Sequence, residues 1–434
     1  MIKRQTMIKK ISLLLIANLF CVGLIAQEEL SLSKAIQVGL ENNYELKIIR
    51  KSEEISELNN SWGNVGRYPS IQFNLQGRGI KDYNETNDFN RLTASPSLDL
   101  NWTLFDGFAV SIRKDKFNDL QQLSEGNTIV AIENRIELII LAYYKILLEK
   151  ERLKVSEKIM SLSSDRFEKR KIGKELGSSV TYDVLQAKNA WLEDRSAYLL
   201  QEVNFNNAVR DLNFLLGVKE SKTYQFSDAF LPVSDDYQLA ALLDKMLNDN
   251  SNLKNRYIQE MILKRDVELA RSNFYPKLSL GAGIQGNRVK TKLDGMSSST
   301  ADSHNLYANL SLSYMIFNGN SNRRALQIAK IQEDIGKIET EDLKHSLSNI
   351  LAQNFELYQV RRELYLLAEE NLEAAELNLS ISKDKYEAGS INSFNYRDVQ
   401  VVYQNVALAR LNAIFNLIQS KTSLVRLTGG ILNE

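Results

Sequence analysis

The chain holds almost nothing from which to build a metal or redox centre. Its 434 residues include one cysteine and two histidines. His304 lies in a polar stretch and His345 in a helical one, and neither belongs to an HExxH or similar ligand pair. No G-x-S-x-G nucleophile turn is present. GAGIQG at 281–286 lacks the spacing of a dinucleotide loop and falls in an alternating, strand-like segment. Enzyme chemistry and a bound cofactor are therefore not expected. Charge of one sign is missing too: Lys+Arg and Asp+Glu are 54 each, which removes the general electrostatic case for nucleic acid. Proline occurs only four times, which suits long unbroken helices. Beyond residue 26 no run is apolar enough for a transmembrane helix. A membrane role would need strands closed into a barrel.

Residues 1–26 differ from the rest. MIKRQTMIKK carries four basic residues, an apolar run follows, and Ala26 precedes polar QEE. That order predicts a secretory signal peptide. Cys21 lies inside it without the sequence of a lipoprotein signal, so the exported chain would contain no disulfide.

The remainder is duplicated. LDLNWTLFDG (98–107) returns as LSLSYMIFNG (310–319), at an offset of 212. Gly107 pairs with Gly319, Gly177 with Gly389 and Gly217 with Gly429 at the same offset. RYPSIQFNLQGRG (67–79) resembles FYPKLSLGAGIQG (274–286) at an offset of 207. The reading is a first repeat at 27–217, a linker at 218–235, a second repeat at 236–429 and a tail at 430–434.

Each repeat shows the same order of patterns. A first helix is predicted at 33–62 and again at 236–272. Period-two strands follow at 70–80 and 95–105, and at 277–289 and 305–317, each pair separated by a polar loop (81–91 and 290–304). Leu98, Leu100, Trp102 and Leu104 alternate with polar residues, as do Leu310, Leu312, Tyr314 and Ile316. A long helix comes next, 111–171 and 322–386. Sixty residues at 1.5 Å each give roughly 90 Å, the length of a coiled coil or extended bundle. In it Ile136, Ile139, Ile140, Tyr143, Tyr144, Leu147 and Leu148 need contacts on two sides. Return helices at 182–216 and 395–428 complete two long αα-hairpins. The alternation by itself fits an ordinary sheet packed on helices as well as membrane strands with a lipid side and a watery side.

The duplicated strand–loop–strand ending in LFDG and IFNG, the Tyr-Pro before each first strand and the Gly-containing helical turns together resemble the outer-membrane efflux proteins of the TolC type. The resemblance covers nearly all of residues 28–429. It implies a mixed membrane β-barrel and long α-helical barrel, with two internal repeats, each giving an αα-hairpin and two transmembrane strands. It implies a homotrimer whose shared barrel has twelve strands in outer-membrane lipid, with helices in the periplasm. A periplasmic adaptor and an inner-membrane transporter would be the partners, and passive conduction for efflux or type I secretion the function. Leu98, Leu100, Trp102, Leu104, Leu310, Leu312, Tyr314 and Ile316 would face lipid. Gly177 and Gly389 would mark the tip turns. The family's acidic constriction falls on Asn395 and Asp398, with Asp183 as the first-repeat counterpart of Asn395. Asp398 keeps the acidic type and Asn395 departs from it. For Asp183 and Asp398, helix capping or first-turn charge is the structural alternative. The competing reading of the whole chain is a periplasmic coiled-coil structural or adaptor protein without a pore.

Overall fold

The break in each first helix is set by an asparagine. Helix α1 (Leu32–Asn42) stops at Asn43, whose Oδ1 accepts from the backbone N–H groups of Glu45 and Leu46 at 3.0 and 3.2 Å and restarts the chain as α2 (Tyr44–Asn59). In the second repeat α5 (Leu239–Asp249) and α6 (Ser251–Ser272) are divided by Asn250, which caps Leu253 N–H at 3.0 Å. The single helices expected at 33–62 and 236–272 are thus two each. An asparagine whose carbonyl satisfies the next turn's orphan donors starts a helix as readily as it interrupts one.

The computed structural model describes residues 28–83, 89–232, 235–293 and 295–433. The expected signal peptide lies outside them. Strand β1 (Glu28–Leu30) pairs in parallel with β4 (Tyr224–Phe226). Four longer strands, β2 (Ser70–Asp82), β3 (Phe89–Phe105), β5 (Lys277–Leu293) and β6 (Ser299–Ser313), form an antiparallel sheet in the order β2-β3-β5-β6. The long helices α3 (Ala109–Glu175) and α7 (Ser321–Glu387) begin and end at the same offset of 212. Return helices α4 (Thr181–Leu216) and α8 (Ser393–Leu427) follow.

The strands outrun the sequence reading. Parts of the polar stretches expected as loops are paired, 81–82 and 89–91 in one and 290–293 and 299–304 in the other, because ladder hydrogen bonds need no apolar side chains; residues 84–88 and 294 lie outside those described, and a bidentate Arg288–Asp302 ion pair at 2.8 and 2.9 Å joins β5 to β6. At the other end β6 stops at Ser313, opposite Lys277. The next partner would be Pro276, which has no N–H to give. Tyr314 and Ile316, inside the strand expected at 305–317, therefore lie beyond the end of β6. Leu104 is displaced as well: a bulge between Thr103 and Phe105 puts Phe105 opposite Leu278, in the row expected for Leu104.

The F-(D/N)-G echo is the turn from strand to helix. Two successive residues take left-handed backbone in each copy: Gly107 and Phe108, then Gly319 and Asn320, all with φ between 64° and 70°. The preceding Asx side chain closes the turn. Asp106 Oδ1 accepts from Val110 N–H at 3.1 Å, and Asn318 Oδ1 accepts from Asn322 N–H at 3.5 Å.

Two compact units share the chain. The helical unit contains residues up to Leu46, Ile132–Met246 and those from Ile350 onward. Its core surrounds α3 on more than one side. Ile139, Tyr143, Ile146 and Leu147 pack with Leu212, Leu216 and Ile414, while Ile136 and Ile140 pack with Val425 and Ile431. Full burial of each such side chain contributes roughly 1.5–3 kcal/mol. The short β1–β4 pair is tied to this core by Tyr143, whose hydroxyl lies 2.9 Å from Leu30 C=O and donates its one proton to the Asp228 carboxylate at 2.5 Å. Burial, reinforced by Asp228, pushes the phenol pKa upward, so this donor stays protonated. The other unit contains Lys47–Ala131 and Leu247–Asn349, including the four-stranded sheet.

Candidate functional site

Cross-strand register sorts the sheet into two unlike faces, since directly paired residues point the same way. One face carries Phe73, Leu98, Ile284 and Leu306 in a single row, with Ile71, Leu100, Ala282 and Ala308 in the next. Trp102, Leu280 and Leu310 continue it, then Phe105, Leu278 and Leu312. These side chains are not covered: Phe73 is 67% exposed and Leu310 65%. An apolar surface continuous over four strands and left open is what a hydrocarbon environment tolerates and water does not. Of the residues singled out from sequence, Leu98, Leu100, Trp102, Leu310 and Leu312 lie in these rows.

Aromatic rings gather where the apolar rows end. Phe105 meets Phe108 edge-to-face at 5.1 Å, and Phe108 meets Tyr275 at 5.9 Å. Trp102 Nε1 donates to Arg67 C=O at 2.9 Å, and the Arg67 guanidinium sits 4.7 Å above the Trp62 ring. Rings with one polar handle suit the boundary between hydrocarbon and water.

The reverse face is polar. Asp99 accepts from Tyr307 Oη at 2.5 Å, Ser97 Oγ at 2.7 Å and Asn74 Nδ2 at 2.9 Å. Gly283 lies between Asp99 and Tyr307 in the register. A Cβ there would overlap the Tyr307 ring and the Leu98 carbonyl oxygen. This is why GAGIQG carries glycines: the bare backbone lets a tyrosine cross one strand to reach a carboxylate on the next.

Within the helical unit, the two αα-turns repeat one device. Gly177 and Gly389 have φ of 76° and 74°. Ser178 N–H bonds Gly173 C=O at 2.7 Å and Ser390 N–H bonds Lys385 C=O at 2.8 Å, closing the ends of α3 and α7. Nothing crowds either glycine, so backbone conformation alone dictates the residue. After the turns, Val180 caps α4 without a side-chain bond, whereas Asn392 caps α8 through Asn395 N–H at 2.8 Å. Asp183 stands in the first turn of α4, half-buried, and Asn395 and Asp398 on α8 are exposed. Neither aspartate supplies its helix's cap.

Sequence reasoning missed a buried charged cluster near these turns. Arg397 on α8 grips Asp194 on α4 with two bonds of 2.7 and 2.8 Å. Beside them Arg166 on α3 is 3% exposed, and its Nη1 reaches Ser393 C=O at 3.4 Å. Burial, then the charge of Arg397, pushes the Arg166 pKa down to about 10, which leaves it cationic at neutral pH. Tyr386 and Tyr396 stack at 4.8 Å, and Lys169 pairs with Glu387 at 2.8 Å. The repeat gave no hint of this cluster. Its offset puts Val406 where Asp194 would recur and Leu185 where Arg397 would.

Residues 242–430 match the model of the outer membrane efflux protein family. No curated protein matches the chain. Among solved structures the chain is similar to CusC, at 16% identity with 92% of each chain covered and a TM-score of 0.76. It is similar to the CmeC outer membrane channel of Campylobacter jejuni, at 16% identity and TM-score 0.72, over 92% of this chain and 85% of that one. The open-state MtrE channel of Neisseria gonorrhoeae matches at 15% identity and TM-score 0.70, over 92% and 89%. At these identities the structural likeness establishes the fold.

Proposed function

We infer that this chain, a member of the outer membrane efflux protein family, is a passive exit duct, set in the outer membrane with its long helices in the periplasm. The observation that carries this reading is the four-stranded sheet. It has an uncovered apolar face, a hydrogen-bonded polar face, and two free edges, β2 and β6. Free edges do not persist in lipid, so the sheet has to close with further copies. Two copies would give eight strands, whose interior side chains nearly fill; three give twelve, wide enough for a watery lumen. The chain is therefore read as one third of a homotrimeric twelve-stranded barrel, with Leu98, Leu100, Trp102, Leu310 and Leu312 toward lipid and Asp99 and Tyr307 toward the lumen. Transport energy would come from an inner-membrane transporter, coupled through a periplasmic adaptor that meets the turns at Gly177 and Gly389. Asp398, with Asp183, would line the narrow end and favour cations.

The purified protein in a planar bilayer tests this. Discrete single-channel currents from a detergent-extracted trimer are expected. Release of a soluble, non-conducting protein on opening the periplasm would instead support the coiled-coil adaptor.

A further inference from the structure

We propose that the end of the sheet opposite the aromatic rings binds the phosphate groups of the outer leaflet's glycolipid. The proposal rests on the channel reading, which sets the apolar face toward lipid. The same face continues upward past a row of Leu75, Pro96, Gly286 and His304, where the β3–β5 pairing lapses at Ser95 and Pro96. Beyond that row come Gly77, Ala94, Arg288 and Asp302, then Gly79, Leu92, Lys290 and Thr300, then Lys81, Asn90 and Lys292. Three lysines thus stand on the lipid side, immediately beyond the apolar band.

Height agrees with this placement. Lys290 lies twelve residues along β5 from Leu278, which is about 40 Å of strand and about 30 Å across the membrane at a tilt of ~40°. A barrel's apolar band is about 25 Å tall, so the ammonium groups fall at headgroup level. The side chains also frame a recess. A groove of about 490 Å³ is lined by Gly79, Lys81, Asn90, Leu92, Lys290 and Lys292, among others. Gly79 adds no side chain to its floor, where a Cβ would touch Leu92 at 3.4 Å.

Charge decides the occupant. Arg288, one row lower, is already neutralised by Asp302. Lys290 and Lys292 form no ion pair among the described residues. Their α-carbons are about 7 Å apart along the strand; Lys81, engaged over the Tyr83 ring at 4.6 Å, stands two strands over, about 10 Å away. That spacing suits a headgroup with more than one phosphate, its acyl chains lying down the rows of Leu98 and Ile284. Polybasic surfaces beside a membrane gain about a factor of five per lysine toward anionic headgroups.

The test uses the full-length protein in detergent, with bisphosphorylated lipid A and its fully dephosphorylated form as probes, read by native mass spectrometry. Wild type should bind the bisphosphorylated lipid, and the K290Q/K292Q double variant should bind it at least about tenfold more weakly, with single-channel conductance unchanged. Equal binding by wild type and double variant would overturn the proposal. So would equal binding of the dephosphorylated lipid, or displacement by inorganic phosphate at equal concentration, which would mark a free-anion site. Normal conductance with lysine-independent lipid binding overturns this proposal alone. Lysine-dependent lipid binding by a protein that conducts nothing overturns the channel reading alone.

Discussion

The two strand-to-helix turns have the same backbone and opposite surroundings. Gly107 and Gly319 share their left-handed φ, and each is followed by a second left-handed residue. Yet a Cβ on Gly107 would overlap the Ser272 carbonyl and the Tyr275 side chain, while Gly319 faces open space. Asp106 is 7% exposed and pairs with Arg113 at 2.5 Å; Asn318 has no charge and makes only one long capping bond. The difference follows from sheet order. β3 is an inner strand, so the turn after it is packed by the chain's own residues, and β6 is an edge strand, so the turn after it is not. Duplication copied a backbone; position in the sheet decided how much packing each copy received.

The largest expected break in that comparison is Gly107→Ala against Gly319→Ala. Both pay about 1–2 kcal/mol for a left-handed alanine, and Gly107→Ala adds about 1–3 kcal/mol of overlap with backbone. Thermal melting of each variant as the unassembled chain in detergent should rank Gly107→Ala well below Gly319→Ala; equal melting would show that the packing difference within one chain is immaterial.

Glu149 and Arg361 sharpen it further, since they occupy one repeat position with opposite charge. Burial alone would raise the Glu149 pKa. Bonds from Lys145 at 2.6 Å and Gln201 at 2.5 Å, with the charge of Arg152, outweigh it and hold the carboxyl below its usual value. A carboxylate with a depressed folded pKa stabilises above its unfolded pKa and ceases to as pH falls through the folded one. Glu149→Gln should lower stability by about 1–2 kcal/mol at pH 7 and flatten the loss on acidification below about pH 4.5. Denaturant titrations at pH 7 and pH 4 check both; identical acid slopes would remove Glu149 as a contributor.

The smallest effect is expected at the turns, where the copies differ by Asp183 against Asn395. Asn395→Asp should raise cation selectivity in reversal-potential measurements, and Asp398→Asn or Asp183→Asn should lower it, each by about twofold or less in permeability ratio. Stability should hardly move, because none of the three caps its helix through its side chain. Selectivity unchanged in all three would take these residues out of the narrow passage.

The glycines at offset 212 were legible because left-handed backbone has few acceptable residues, so duplication preserves them visibly. The strand faces were legible from period two. The breaks at Asn43 and Asn250 carried a signal, an asparagine three residues before an apolar one, that helical periodicity on both sides concealed. The β1–β4 pair joins segments nearly two hundred residues apart and is too short for any pattern. The Arg166, Asp194 and Arg397 cluster is a tertiary event: a buried charge on one helix is explained only by a partner on another.

The free edges of β2 and β6 bear on genetics as well as on assembly. In a ring closed by three such chains, every seam joins the β6 of one copy to the β2 of the next. One chain with a spoiled edge leaves one seam open, and a barrel open at one seam is no barrel. A variant such as a proline in the middle of β6 would fold its own helices, enter mixed trimers and disable the normal copies it joined. Damage to an edge strand should therefore be dominant over the wild-type gene, whereas damage that unfolds the whole chain should be recessive.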